Sequence, residues 1–340
     1  MDQPGSPLPD PDPAPFHPPT LDTNARLHSR VFYDRYELRA GWRLLIFSAI
    51  LSVLFSIAAM ALRLLGHPRT PSNALDPQIT LFAEGLPLLL VLIGTWAMAK
   101  LEGRSFAVYG LPGRGAFRAR FWLGAIVGFV AISALLGAMR LAGVFHLTGT
   151  ALHGAQSWKY AALWATVFLA VGLFEEFFFR GYVLFTLTTG ITFWPAAILM
   201  SLLFGYVHHS NSGETWVGAF AAGLVGLLFC LLLRRTGDLW MAIGFHASWD
   251  WGETYFYGVP DSGQVATGHL FNATFAGPQW LTGGTVGPEG SYLVIVLLVL
   301  LLIIFALVFR QSRYPDPDAL RPSRHAFPPI TPANPVMPDA

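Results

Sequence analysis

The chain has 340 residues, 54% of them apolar and only 12% charged, with mean hydropathy +0.50 and a formal net charge of +1. A soluble domain carries roughly 25% charged residues, so the composition excludes an ordinary water-soluble protein and calls for a lipid bilayer as solvent. The near-neutral charge, without a basic cluster of the kind that binds phosphates, points to no nucleic-acid partner, and a single cysteine, Cys230, rules out an intramolecular disulfide.

Residues 1–20 hold eight prolines and neither Lys nor Arg, unlike a cleavable signal peptide with its basic start and apolar core. The first apolar segment is therefore expected to remain as an anchor. A helix crossing the bilayer needs about 20 mostly apolar residues. Eight such segments follow: Trp42–Gly66, Ile79–Ala99, Phe121–Phe145, Tyr160–Thr189, Trp194–His209, Trp216–Leu233, Leu239–Val259 and Tyr292–Phe309. The expected fold is an all-α polytopic membrane domain over 42–311. Proline-rich tails at 1–41 and 312–340 lack a helical apolar stripe and read as disordered.

Basic residues assign the sides. Arg26 to Arg43 flank segment one, Lys100 to Arg120 join segments two and three, Arg234 and Arg235 follow segment six, and Arg310 to Arg324 follow segment eight. Residues 260–291 contain neither Lys nor Arg. With eight spans these clusters fall on one side, leaving Arg69 and Lys159 in loops opposite. The positive-inside bias then puts both termini in the cytoplasm of a cell-membrane protein.

Ionisable groups interrupt segments four, five and seven. Each costs about 2.5–3.5 kcal/mol at the bilayer centre on insertion scales, so such groups are paired or functional. Segment four contains Glu175-Glu176-Phe-Phe-Phe-Arg180. Glu176 and Arg180 share a helix face and suit an ion pair, whereas Glu175 is rotated about 100° away. Segment five ends in Phe204-Gly-Tyr-Val-His208, with ring and imidazole on one face. With a turn at Gly190–Phe193, Glu175 and His208 lie level, roughly 22 Å from that turn. Segment seven places His246, Asp250 and Glu253 in one polar stripe. A bland reading has each set as a packing staple, with Asp250 orienting His246. Three polar segments together instead argue for a shared cavity between segments four, five and seven. His246, however, comes out only about 10 Å deep. The depths agree only if the hairpin of segments four and five projects beyond the bilayer or a helix is broken.

These three blocks resemble the family of CAAX prenyl proteases and bacteriocin-processing enzymes, the CPBP or Abi family. Its pattern is Glu-Glu-x-x-x-Arg, Phe-x-x-x-His and His-x-x-x-Asn or Asp, here Glu175-Glu176…Arg180, Phe204…His208 and His246-Ala-Ser-Trp-Asp250. The resemblance covers about residues 160–255. Phe106-Ala-Val-Tyr-Gly110-Leu111 looks like the short Gly-Leu element that many members carry upstream.

The resemblance implies a glutamate-dependent intramembrane endopeptidase with no cofactor and no bound metal. Its substrate would be a membrane-associated or prenylated-type peptide or protein. Glu175 would be the general base and His208 would help activate the water. His246 and Asp250 would form the oxyanion site, and Glu176 with Arg180 would hold the constellation in place. An ionised Asp250 would repel an oxyanion, so it must be protonated or act by orienting His246. Glu253 falls outside the family pattern. The residues leave other readings open: a zinc protease using Glu175, His208, His246 and Asp250, a non-catalytic scaffold or immunity protein of the same fold, and a transporter using the same groups as a proton relay.

Overall fold

The computed structural model describes Phe32 and residues 38–65, 74–211, 213–261, 263–316 and 320. The expected tails and Arg69 lie for the most part outside the described residues. The chain is all-helical with small strands. In order come α1 (Ala40–Leu64), β1 (Ala74–Leu75), α2 (Pro77–Leu101), α3 (Ala119–Leu141), β2 (Phe145–Thr150), α4 (Ala155–Arg180), α5 (Tyr182–Ile191), α6 (Phe193–His209) and α7 (Trp216–Thr236). Then follow α8 (Trp240–Asp250), running on as a π-helical turn (Trp251–Phe256), β3 (Val265–Ala266), β4 (Phe271–Phe275), the short α9 (Gln279–Thr282) and α10 (Tyr292–Val308).

Side-chain caps mark several starts. The Asp76 carboxylate accepts from the Gln78 and Ile79 amides, at 2.9 and 3.1 Å, with Pro77 in the first turn. The Thr215 hydroxyl accepts from the Gly218 amide at 3.1 Å, and Ser291 accepts from Val294 at 3.3 Å. Each occupies an amide donor that the first helical turn leaves unpaired.

Four single helices, α1, α2, α3 and α7, and the 37-residue run of α4 with α5 are long and apolar enough to cross a membrane. The protein is thus a multi-pass membrane protein. The other three expected spans are shorter: α6 and α10 have 17 residues each, and α8 has 11 before its π turn.

Segment four is broken. Gly181 leaves helical geometry with ψ at −117°, and a Cβ there would lie 2.2 Å from the Phe177 carbonyl oxygen. Only glycine permits the chain to turn so tightly against its own last turn. This break supplies one of the two resolutions that the sequence depths required.

The helix ends gather into two groups. At the first, Arg43 at the start of α1 donates to Glu102 beyond α2 through Nε and Nη2, at 2.9 and 2.7 Å, and to Thr189 of α5 at 3.2 Å. The Tyr109 and Tyr182 hydroxyls also donate to Glu102. Leu239, ahead of α8, donates its amide to the Gly110 carbonyl at 2.9 Å, and Arg313, after α10, donates to Arg234 O at 2.8 Å. At the second group β2 pairs antiparallel with β4, and β1 pairs parallel with β3.

α3 and α8 run parallel with their backbones in contact. Cβ atoms added at Gly124, Gly128 or Gly244 would fall 2.0–2.2 Å from carbonyl oxygens of the facing helix. Small residues at four-residue spacing allow this approach, and it fixes the rotation of the helix that carries His246 and Asp250.

Candidate functional site

Glu175 and Glu176 lie near the end of α4, Phe204 and His208 in the second half of α6, and His246 and Asp250 on α8. The fold brings them together. Glu175 Oε2 stands 4.0 Å from His208 Nε2 and 3.8 Å from His246 Nε2. Those gaps are too long for direct hydrogen bonds and suit groups bridged by a water. Asp250 Oδ2 lies 3.5 Å from His246 Nε2.

Both rings are oriented through Nδ1. His208 Nδ1 is 2.9 Å from the Phe204 carbonyl oxygen. A carbonyl can only accept, so that nitrogen carries a proton and Nε2 is the ring atom turned toward Glu175. His246 Nδ1 is 3.0 Å from Glu176 Oε1, and the ring presents its other nitrogen to Glu175 and Asp250.

Glu176 Oε1 also accepts from Arg180 Nη1 at 3.2 Å, and both of these side chains are fully buried. The Arg180 guanidinium lies 4.3 Å from the centre of the Phe204 ring, whose centre is 4.2 Å from that of His208. Phe204 therefore separates the buried cation from the imidazole while touching both. Glu175 and His208 keep side-chain exposures of 21% and 20%, so the two that face each other across the gap also reach open space.

That space is a pocket of about 180 Å³, lined by Glu175, Phe204, His208, Phe229, His246 and Asp250. Toward one end it is lined further by Asn211, Glu214, Asp261, Gln264 and Glu289. Burial raises the Glu214 and Asp261 carboxyls, and burial with the neighbouring Asp261 and Glu214 charges pushes Glu289 up to about 8. Among the described residues no group of three His, Cys, Asp or Glu converges in a way that could hold a metal ion.

Three details lie beyond the sequence reading. His246 is oriented at Nδ1 by Glu176 of another helix, while Asp250 stands on the Nε2 side. Glu253, outside the motif pattern, is fully buried and accepts from Trp249 Nε1 at 2.9 Å, and the same N–H lies 3.1 Å from Glu289. Glu84 of α2, in a segment that reads as plainly apolar, lies near enough to interact electrostatically with Glu175 and His246. A lone Glu in a strongly apolar helix was the available signal for it.

The helical membrane bundle and its Glu, His and Asp motifs are similar to those of the CPBP membrane-protease class over part of the chain. More particularly, residues 156–252 match the family model described as type II CAAX prenyl endopeptidase Rce1-like, and that segment contains all three motifs. No curated protein matches the chain.

Proposed function

We propose that this protein is a glutamate-type intramembrane endopeptidase that cleaves a membrane-associated or prenylated-type peptide. The pocket would be a polar cavity within an eight-span membrane domain of the cell membrane. The observation that carries this reading is the convergence of the Nε2 atoms of His208 and His246 on one carboxylate oxygen of Glu175, at 4.0 and 3.8 Å.

Water held between Glu175 and His208 Nε2 gives a proton to Glu175 as its oxygen bonds to the scissile carbonyl carbon. The carbonyl oxygen gains negative charge on the His246 and Asp250 side. A proton on His246 Nε2, or on Asp250 beside it, donates to that oxygen. Collapse breaks the C–N bond, Glu175 returns its proton to the leaving nitrogen, and the products are a carboxylic acid, which keeps the water's second proton, and an amine. Glu176 takes no part in bond making and holds His246 with Nε2 toward the substrate.

The test is cleavage of a quenched fluorescent peptide library by detergent-purified protein, with and without a prenylated C-terminal cysteine. Turnover abolished by Glu175→Gln and spared by EDTA supports the reading. A fully active Glu175→Gln variant refutes it, and turnover lost to EDTA and restored by zinc replaces it with the metal mechanism.

A further inference from the structure

The pocket around Glu175 is lined from one end of the molecule only. Its rim is formed by Thr80 in the first turn of α2, Asn211 and Glu214 between α6 and α7, Asp261 and Gln264 beyond the π turn, and Glu289 ahead of α10. Among the described residues none of the loops at the opposite end lines it: not 102–118, nor the α5–α6 turn, nor 237–239, nor residues 309–316 after α10. That opposite end is closed by Arg43, Tyr109 and Tyr182 gathered on Glu102.

The two ends differ in charge. The closed end carries Arg104, Arg114 and Arg118 in one loop, Arg234 and Arg235 at the end of α7, and Arg310 and Arg313 after α10. At the rim end the described residues of loops 142–154, 210–215 and 257–291 contain no Lys or Arg. Arg63, Arg140 and Lys159 stand singly in helices at its margin. The ionisable side chains on the rim itself are carboxyls: Glu214, Asp261 and Glu289. Short loops rich in Lys and Arg stay in the cytoplasm, and Asp and Glu have little influence on that choice.

We propose that the pocket opens on the non-cytoplasmic face, so that its substrate is a polypeptide segment presented outside the cytoplasm. A lipid-anchored tail on the cytoplasmic leaflet would meet the closed end instead. The substrate half of this inference rests on the protease reading of the site; the direction of opening does not.

Cysteine labelling tests it. Cys230 is buried, so the protein offers a quiet background. Gln264→Cys places a thiol at an exposed rim position, Thr285→Cys a second on the same loop, and Arg114→Cys one at the closed end. Each variant is treated in intact spheroplasts, and again after permeabilisation, with a membrane-impermeant maleimide. The expected result is that Gln264→Cys and Thr285→Cys label equally well before and after permeabilisation, while Arg114→Cys labels only after it. Rim thiols that react only after permeabilisation overturn the inference, as does Arg114→Cys labelling in intact spheroplasts. Because labelling does not depend on turnover, an inactive protein leaves this test standing. A cytoplasmic rim together with turnover lost in Glu175→Gln would remove the access inference and keep the protease.

Discussion

Glu176 Oε1 joins two helices, accepting from His246 Nδ1 at 3.0 Å and from Arg180 Nη1 at 3.2 Å. Its position therefore sets both the ring that faces the pocket and the charge beneath it. Removing one partner of a fully buried pair costs about 3–5 kcal/mol because the other charge is left uncompensated. Glu176→Ala is expected to lower stability by about that much. Glu176→Gln with Arg180→Met should lose less than the sum of the two single changes. Denaturation of the four proteins in detergent measures the coupling, and strict additivity would show that the pair is not coupled.

Glu175 carries less structure. Its Oε2 makes no hydrogen bond, so Glu175→Gln should leave the thermal midpoint unchanged or slightly raised. Activity should fall by about 10²–10⁴-fold, the usual contribution of a general base. Parallel melting curves and kcat measurements separate the two effects. A large loss of stability would assign Glu175 to the scaffold rather than to the chemistry.

The contact between α3 and α8 allows a third test. Gly244→Ala would put a methyl 2.1 Å from the Phe121 carbonyl oxygen, whereas a Cβ at Gly137 of α3 meets nothing within 4 Å. Overpacking of this kind costs about 1–3 kcal/mol. It would also push His246 and Asp250 away from Glu175. Gly244→Ala is expected to lose both stability and turnover, and Gly137→Ala neither. Equal melting temperatures for the two variants would contradict the close approach.

The acidic rim makes stability depend on pH. Burial raises Glu289 from its usual value near 4.5 to about 8. The fold therefore holds this proton more tightly than the unfolded chain does. The stability associated with the protonated group is fully present below pH 4.5 and is lost as pH rises through about 8. Glu289→Gln keeps an acceptor for Trp249 Nε1 and removes that loss. Melting scans from pH 5 to pH 9 should show a smaller decline in Glu289→Gln than in the parent, and curves of identical slope would remove Glu289 as the cause.

Much of the site was legible one helix at a time. The four-residue spacing from Glu176 to Arg180, from Phe204 to His208 and from His246 to Asp250 predicts shared faces, and each pair is in contact. Spacing within a helix says nothing about what crosses between helices. The bond from His246 to Glu176, 70 residues apart, depended on the rotation of α8, which glycines on α3 help to fix. Gly218, Ala222 and Gly226 of α7 form an equally good small-residue stripe in sequence, so the stripe alone could not indicate which helices touch. The break at Gly181 was hidden because the run from 155 to 191, apart from its few charged residues, is largely apolar and contains no proline to mark an end. Strands β2 and β4 pair residues more than 120 positions apart, and although both alternate apolar with polar residues (Phe145-His-Leu-Thr and Phe271-Asn-Ala-Thr-Phe), runs this short carry no sign of which distant segment they pair with.

The bend at Gly181 also settles a problem of surplus length. The 37 residues from Ala155 to Ile191 would form a straight rod of about 55 Å, almost twice the hydrocarbon thickness of about 30 Å. A rod of that length would have to lean steeply or stretch the bilayer, and either would carry the carboxylates of α4 out of register with the histidines of α6 and α8. Breaking the helix at Gly181 and continuing the last ten residues as the separate α5 puts the excess beyond the acids, so the mismatch is absorbed where no chemistry depends on it.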